Sequence, residues 1–265
     1  MSMPLIAGLA GVVAALYVLP LGLAVFALRF RWRAKLPAVA AVDAAWLDKR
    51  WTDGARATLE QLAGLGFVLR TYVDGIAPKK SPTGVRCVAV LANESTGDMA
   101  QIAIADRHDA QGEIEQITLP IFTFRAGSTR IATSNSDTPG VFVRPRDHVV
   151  HAFPMLHNVA TLYKAHRGIC ERHAGTRRGE IPAAGSEARQ TNRDTAEEFA
   201  YQAKRGMMRA TPDGDYESTW RGAFHSVWKL HPRFLGGHKR RMHLSGLRLL
   251  EELGITLDPV VTPTR

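Results

Sequence analysis

Cysteine is scarce in this sequence, since only Cys87 and Cys170 occur among its 265 residues. The two are far apart, and neither belongs to a CxxC or CxxH pattern, so the chain has no signature of a disulfide scaffold or of a cysteine-rich zinc site. Both thiols are therefore predicted to be packing residues in a reducing compartment.

The common catalytic signatures are also missing. There is no phosphate-binding GxxxxGK followed by Ser or Thr, no GxGxxG, no GxSxG and no HExxH. These absences remove the sequence evidence for nucleotide-binding, dinucleotide-binding, serine-hydrolase and zinc-protease classes. Because nothing else in the sequence assembles a nucleophile, a base and an oxyanion donor, a binding protein is favoured over an enzyme, and no cofactor is predicted.

Charged side chains are absent from Pro4–Leu28, an apolar run of 25 residues. As a helix that rises about 1.5 Å per residue, the run would reach about 37 Å, enough to cross a bilayer core of about 30 Å. Pro20 falls inside it, which a membrane span tolerates. The run is too long for a cleavable signal peptide, and no Lys or Arg precedes it, so it predicts a single-pass signal anchor.

The rest of the composition is ordinary, with 45% hydrophobic and 22% charged residues. That balance excludes collagen-like, coiled-coil and wholly disordered chains. The formal net charge of +9 is unusual, and it suggests a nucleic acid or an anionic membrane as a partner.

The positive charge is concentrated in two short stretches. Four basic residues lie between Arg29 and Lys35 and seven between Arg221 and Arg248, with no acid in either stretch. The first stretch comes directly after the apolar run, so the positive-inside rule predicts an inner-membrane protein whose remaining chain is cytoplasmic. The predicted contacts with the bilayer or its anionic headgroups are Arg29, Arg31, Arg33, Lys35, Lys229, Arg233, Lys239, Arg240 and Arg241.

The second basic stretch also carries large apolar residues at helical spacing. These are Trp220, Phe224, Val227 and Trp228. A helix at the membrane interface has this composition, with cations beside an aromatic face. The same residues would equally serve as the core of a C-terminal subdomain with solvated cations outside it, and the sequence favours neither interpretation.

The segment after the anchor predicts a helix followed by a sheet. The helix runs from about Ala44 to Ala63 and ends at Gly64 and Gly66. Six strand-like segments come next, Phe67–Val73, Val85–Ala92, Met99–Ala105, Ile114–Phe124, Ser128–Thr133 and Val141–Val143. The connections between them are too short for crossover helices, so the expected pairing is an antiparallel β-meander.

Helices take over after the sheet. An apolar stripe from Asn158 to Gly175 predicts one helix, and residues 174–193 have the composition of a linker. Asp194, three residues before Glu197, is predicted to open a second helix through a capping box. The remaining predicted elements are a β-hairpin (Met207–Thr211 and Tyr216–Thr219), helices over Trp220–Leu230 and His238–Leu253, and a frayed tail (Pro259–Arg265).

The predicted fold class is therefore α+β, with packed helices against the sheet. The predicted divisions are an anchor with its basic flank (1–36), a helix-plus-sheet domain (37–155), a helical portion that contains the hairpin (156–258) and the tail (259–265).

Several short motifs are spread over most of the chain in a fixed order. They are Leu65-Gly66-Phe67, Phe122 to Gly127, Thr133 to Asn135, Leu162-Tyr163 with His166, and Thr219 to Ala223. With the terminal anchor, their order resembles a set of uncharacterised single-span bacterial membrane proteins. The resemblance implies an anchor and an α+β cytoplasmic domain, and it implies no activity.

Histidine is the one reactive residue type that clusters. His148, His151 and His157 lie between the predicted sheet and the long helix, while His166 and His173 are two turns apart on that helix. Imidazoles in this arrangement are candidate ligands for zinc or a similar metal, with His148, His151 and His166 as the candidate set. The alternative is that the helical pair are core or rim residues on an apolar stripe.

The hairpin suggests one further alternative, a winged-helix DNA-binding domain. Residues 194–205 would be the recognition helix, with Arg193, Gln202, Lys204 and Arg205 as available contacts. The long separation from the preceding helix opposes this interpretation, because a helix-turn-helix joins its helices by about three or four residues.

The sequence favours a membrane-anchored protein that binds or scaffolds at the inner-membrane surface, with lipid, a protein partner or a second copy as its partner. The alternatives are a membrane-tethered winged-helix-like regulator that binds nucleic acid and a metal-dependent enzyme that uses the histidine cluster.

Overall fold

The computed structural model describes residues 19–30, 33–34, 39–42, 53–74, 85–108, 114–138 and 140–256. The chain divides into two compact units, each built from three segments. The unit that we call the sheet unit takes its described residues from Pro37–Thr138, Arg144–Asp194 and Lys239–Arg265. The hairpin unit takes its described residues from Met1–Leu36, Pro139–Val143 and Thr195–His238. The linear division predicted from the sequence stays a prediction.

The sheet unit is built on a seven-stranded sheet whose strands neighbour one another in chain order. The strands are β2 (Ala40–Val42), β3 (Val68–Asp74), β4 (Val85–Asn93), β5 (Asp98–His108), β6 (Ile114–Ala126), β7 (Thr129–Ser134) and β8 (His148–Ala152). All neighbours from β2 to β7 are antiparallel, so the α+β class is confirmed and the antiparallel meander is confirmed over that range.

The last strand departs from the prediction. β8 pairs parallel to β7, which makes the sheet mixed. A parallel neighbour is possible because residues 135–147 form a connection long enough to return the chain to the same end of the sheet. The predicted strand over Val141–Val143 is wrong, since the side chain of Gln202 takes the place of a partner strand there: it accepts from the Val143 N–H at 3.1 Å and donates to the Val143 carbonyl at 2.7 Å.

Both faces of the central strands are covered. Alternate residues of β4 enter different clusters, with Ala89 and Leu91 in the larger cluster and Val88 and Val90 in the smaller one. This explains why the sequence of β4 is apolar without alternation. The larger cluster combines Phe122 of the sheet with residues of three helices, and it is the main core of the sheet unit.

Two of the helices that contribute to this core are α2 (Asp53–Gly64) and α3 (Val159–Ala174), and the third, which supplies Leu250, is the last helix of the described chain. The boundaries of α3 are confirmed, because the Asn158 side chain accepts from the Thr161 N–H at its start and Gly175 ends it at a positive φ of 65°. The end of α2 is also confirmed. The first part of its predicted range lies outside the described residues.

The predicted linker is partly wrong, because α4 (Glu187–Lys204) begins inside it. Asp194 is therefore within the helix and is not its cap. Its carboxylate accepts from Gln190 one turn earlier at 2.8 Å and pairs with Arg125 of the sheet. These polar contacts stabilise the first part of the helix, before Asp194, which the sequence did not predict.

The hairpin unit contains a three-stranded sheet. Its strands are β1 (Arg33–Ala34), β9 (Met208–Ala210) and β10 (Tyr216–Ser218), in the order β1, β10, β9. The predicted hairpin is therefore confirmed, and β1 adds a third strand to it. Helix α5 (Trp220–Leu230) comes next with the predicted boundaries. Thr219 caps it by accepting from the Gly222 N–H at 3.1 Å.

The last helix, α6 (Pro232–Glu252), starts six residues before the predicted His238. Pro232 fits the first helical position, because its fixed φ suits a helix and it lacks an N–H that would be unpaired there. The predicted tail lies outside the described residues.

Residues 19–30 form a helix, α1, which carries the end of the predicted membrane span. Within the described ranges, no helix combines the length and the apolarity that crossing a membrane requires. Residues 4–18 of the predicted span lie outside those ranges, so the anchor remains a prediction.

Candidate functional site

Helix α5 exposes a stripe of aromatic side chains. Trp220, Phe224 and Trp228 are 54%, 61% and 45% exposed, and their spacing of four residues aligns them along one face. Val227, predicted to share that face, is instead buried with Ala223. The helix is amphipathic, and its aromatic side faces outward.

Two aromatic side chains of α1 extend this stripe. The ring centroids of Phe26 and Phe30 lie 6.3 and 5.6 Å from that of Trp220, and both side chains are more than half exposed. We call Phe26, Phe30, Trp220, Phe224 and Trp228 the aromatic surface. Monomeric soluble proteins rarely expose large contiguous apolar patches, so the aromatic surface is a candidate interaction site.

Cations border the aromatic surface in the sequence, but they differ in their contacts. The Arg29 guanidinium lies 5.2 Å from the Phe30 ring centroid and 3.7 Å from the Glu217 carboxylate. The Lys229 ammonium donates to the Gly140 carbonyl at 3.1 Å. The Arg29 side chain thus interacts with other groups of the protein.

The other predicted anion contacts have different surroundings. Lys239 pairs with Asp137, while Arg240 and Arg241 are exposed on α6. Arg31, Lys35 and the side chains of Arg33 and Arg233 lie outside the described residues.

A pocket of about 130 Å³ lies in the hairpin unit. Leu28, Met207, Met208 and Leu230 give it mostly apolar walls, and His225 is one of its few polar groups. Burial, together with the charge of nearby Lys229, lowers the pKa of His225. The pocket therefore presents a neutral imidazole in an apolar lining at neutral pH.

A buried polar cluster occupies the sheet unit. Asp98 at the start of β5, Thr133 in β7 and His166 in α3 are all 0% exposed. Nδ1 of His166 lies 3.0 Å from Oγ1 of Thr133, and its Nε2 lies 3.7 Å from Oδ1 of Asp98. Cys170, one turn after His166, places Sγ 3.5 Å from the same Nε2.

The carboxylate of Asp98 is held from several sides. The Tyr163 hydroxyl donates to Oδ2 at 2.8 Å, and Arg167 lies 3.2 Å from both oxygens. Burial raises the pKa of Asp98, but the interactions with His166, Thr96 and Tyr163 outweigh it and hold the pKa below its usual range. Asp98 is therefore an ionised carboxylate inside the protein.

Burial controls protonation in the rest of the cluster. It lowers the pKa of His166, against the attraction of Asp98, and raises the pKa of Tyr163. It also raises the pKa of Cys170 to about 12. At neutral pH the cluster holds a neutral imidazole and a protonated thiol beside the Asp98 and Arg167 ion pair.

The arrangement differs from a nucleophilic triad. In a triad the base contacts its nucleophile through one ring nitrogen and its orienting carboxylate through the other. Here Cys170 and Asp98 both lie nearest Nε2 of His166, while Thr133 is at Nδ1. A buried thiol with a raised pKa is also a poor nucleophile.

The predicted metal set does not converge among the described residues. His148 and His151 are three residues apart on β8, so their side chains point to opposite faces of the sheet. His151 stacks on Phe153, with ring centroids 6.2 Å apart. The described residues that do bring three ligand atoms within 4.8 Å of one another are Asp98, His166 and Cys170.

One predicted nucleic-acid contact is wrong. Gln202 is fully buried and bonded to Val143 and Glu198, so it cannot reach a DNA groove. Lys204 is the last residue of α4 (Glu187–Lys204), and Arg205 follows it in a turn.

No protein-family model matches this chain, and neither a search of curated proteins nor a search of solved structures returns a significant match.

Proposed function

We propose that the protein is a single-pass inner-membrane protein whose aromatic surface rests in the membrane interface, where it serves as a binding or scaffolding module. The observation that carries this proposal is the exposed stripe of Trp220, Phe224 and Trp228, joined by Phe26 within the predicted span and by Phe30 just after it.

The energetics favour a lipid interface over water for this surface. Removing one large apolar side chain from water contributes about 1.5–3 kcal/mol. Tryptophan is enriched at membrane interfaces because its ring is apolar while its N–H can still find a polar partner. Helix α5 thus has the pattern of a helix that lies in the interface plane.

The charge pattern supports the same location. The cations from Arg29 to Lys35 come after the apolar run, which favours a cytoplasmic position for the rest of the chain. Exposed Arg240 and Arg241 are available to anionic headgroups, and each cation near such a surface contributes roughly 1 kcal/mol of attraction.

Quenching of tryptophan fluorescence by lipid tests this proposal. The full chain would be reconstituted into vesicles whose acyl chains carry bromine near the headgroup, with Trp220→Phe and Trp228→Phe as variants. Because bromine quenches only nearby indoles, we expect each variant to lose part of the quenched signal. Trp46→Phe is the matched control for removal of a tryptophan.

The outcome that would contradict the proposal is a quenched fraction that does not change in either variant. Salt-dependent binding of the detergent-solubilised chain to DNA, with unchanged quenching, would instead favour the nucleic-acid alternative.

A further inference from the structure

We propose that Asp98, His166 and Cys170 form a binding site for one thiophilic divalent cation, with the coordination chemistry of Zn²⁺. This site differs from the set of histidines predicted from the sequence and shares only His166 with it. It is independent of the proposed membrane function.

The spacing of the three ligand atoms fits a tetrahedral ion. Zn²⁺ binds sulfur at about 2.3 Å and nitrogen or oxygen at about 2.0–2.1 Å, so two ligand atoms around it are separated by about 3.3–3.6 Å. Nε2 of His166 lies 3.5 Å from Sγ of Cys170 and 3.7 Å from Oδ1 of Asp98. All three ligand atoms lie within 4.8 Å of one another.

Two secondary-structure elements bring the three ligand atoms together. His166 and Cys170 are four residues apart on α3, which places them on one helical face. Asp98 comes from the start of β5, directly after the turn that ends β4. One carboxylate, one imidazole and one thiol from two rigid elements make a ligand set typical of zinc.

The surrounding groups orient the ligands. In metal sites the second ring nitrogen of a ligating histidine is usually held by a hydrogen bond, and Nδ1 of His166 has that contact with Thr133 at 3.0 Å. The Tyr163 hydroxyl holds Oδ2 of Asp98 at 2.8 Å, and Oδ1, which Arg167 also contacts at 3.2 Å, lies toward the imidazole.

Ion binding raises the net charge of the cluster by one unit. A thiolate and a carboxylate neutralise a divalent cation, and the remaining positive charge is that of Arg167, whose side chain is 24% exposed to solvent. Binding forms the sulfur–metal bond and breaks the S–H bond of Cys170, and the proton leaves to the buffer. A water or another group would complete the fourth position.

The test uses the full chain in detergent, stripped of metal and titrated with Zn²⁺ against a competing chelator. We expect one Zn²⁺ per chain in the wild type, and at least tenfold weaker binding in Cys170→Ala. Ala is small enough for the buried position, and circular dichroism checks the fold of the variant. Cys87→Ala is the matched control, because it removes the other thiol, and we expect it to bind like the wild type.

Two further measurements identify the ligands. Co²⁺ in place of Zn²⁺ should give a sulfur-to-metal charge-transfer band that is present in the wild type and absent in Cys170→Ala. Thr133→Val should weaken Zn²⁺ binding by about 10–100-fold, because it removes the hydrogen bond that orients His166. Absence of stoichiometric zinc in the wild type, or equal affinity in Cys170→Ala, overturns the proposal.

Discussion

The two units treat their aromatic residues in opposite ways. In the sheet unit, Phe67, Phe122 and Tyr163 pack with ring centroids 5.0–5.7 Å apart and are nearly inaccessible to solvent. In the hairpin unit, the ring centroids of Phe30 and Trp220 are 5.6 Å apart, yet each side chain is more than half exposed. Similar ring contacts thus belong to a closed core in one unit and to an open surface in the other.

The comparison shows what decides the role of an aromatic cluster. Helix α3 presents its apolar stripe to a seven-stranded sheet that covers it, whereas α5 buries only its inner face. Ring-to-ring contact alone does not make a core, because the free energy comes from the area removed from water. The side chains of the aromatic surface still expose much of their apolar area to solvent.

Removal of one ring from the core of the sheet unit and of one ring from the aromatic surface should give the largest difference in the free energy of unfolding. Phe122→Ala deletes a fully buried ring, and we expect it to lower the free energy of unfolding by about 3–5 kcal/mol. Phe224→Ala deletes an exposed ring, and we expect a change within about 0.5 kcal/mol. Chemical denaturation of the full chain in detergent, monitored by circular dichroism, measures both. Equal losses would contradict the division into a core and a surface.

Two glycines of the hairpin unit compare a tightly packed position in α5 with an open position in α6. A β-carbon at Gly222 would lie 1.9 Å from the Met207 carbonyl oxygen, so Gly222→Ala should cost about 1–3 kcal/mol through displacement of the helix. Gly236 in α6 has nothing within 4 Å of the same position, so Gly236→Ala should stabilise by about 1 kcal/mol. Thermal unfolding checks both, and a neutral Gly222→Ala would show that the inner face is loose.

The smallest expected difference is between the N-terminal caps of α3 and α5. In both helices a side-chain oxygen accepts a hydrogen bond from a backbone N–H of the first turn. Asn158→Ala and Thr219→Ala should each lower stability by about 1 kcal/mol, since each leaves a helix N–H unpaired. Thr219 also donates to the Gly206 carbonyl, so its loss should be the greater of the two. Asn158→Ser and Thr219→Ser keep a capping oxygen and should retain most of the stability in the same unfolding assay. A smaller loss at Thr219 would contradict this order.

Most of the fold is encoded in local signals. Strands β3 to β7, helix α3 and the hairpin were predictable because their periodicity, caps and turn residues lie within a few positions of one another. The parallel pairing of β8 was not, because it depends on where the connection over residues 135–147 leads. Helix α4 was not predictable to its full length because its stabilising partners, such as Arg125 for Asp194, are far away in the sequence.

The candidate sites obey the same rule. The aromatic stripe of α5 could be predicted from spacing within one helix, whereas its extension by Phe26 and Phe30 could not. His166 was predictable as a candidate ligand. Cys170 is four residues later on the same helical face, and this spacing could have identified its thiol as a second ligand. Asp98 lies 68 positions before His166, and no local pattern connects the two.

The discontinuity of the two units has a consequence for how the protein is made. The hairpin unit needs residues near 30 and residues near 230, and the core of the sheet unit includes Leu250 and Ile255 near the end of the described chain. A ribosome must therefore synthesise past residue 230 before the hairpin unit can close, and past residue 250 before the core of the sheet unit can close. Strands β3 to β7 are therefore translated before the helix that contributes Leu250 to their core.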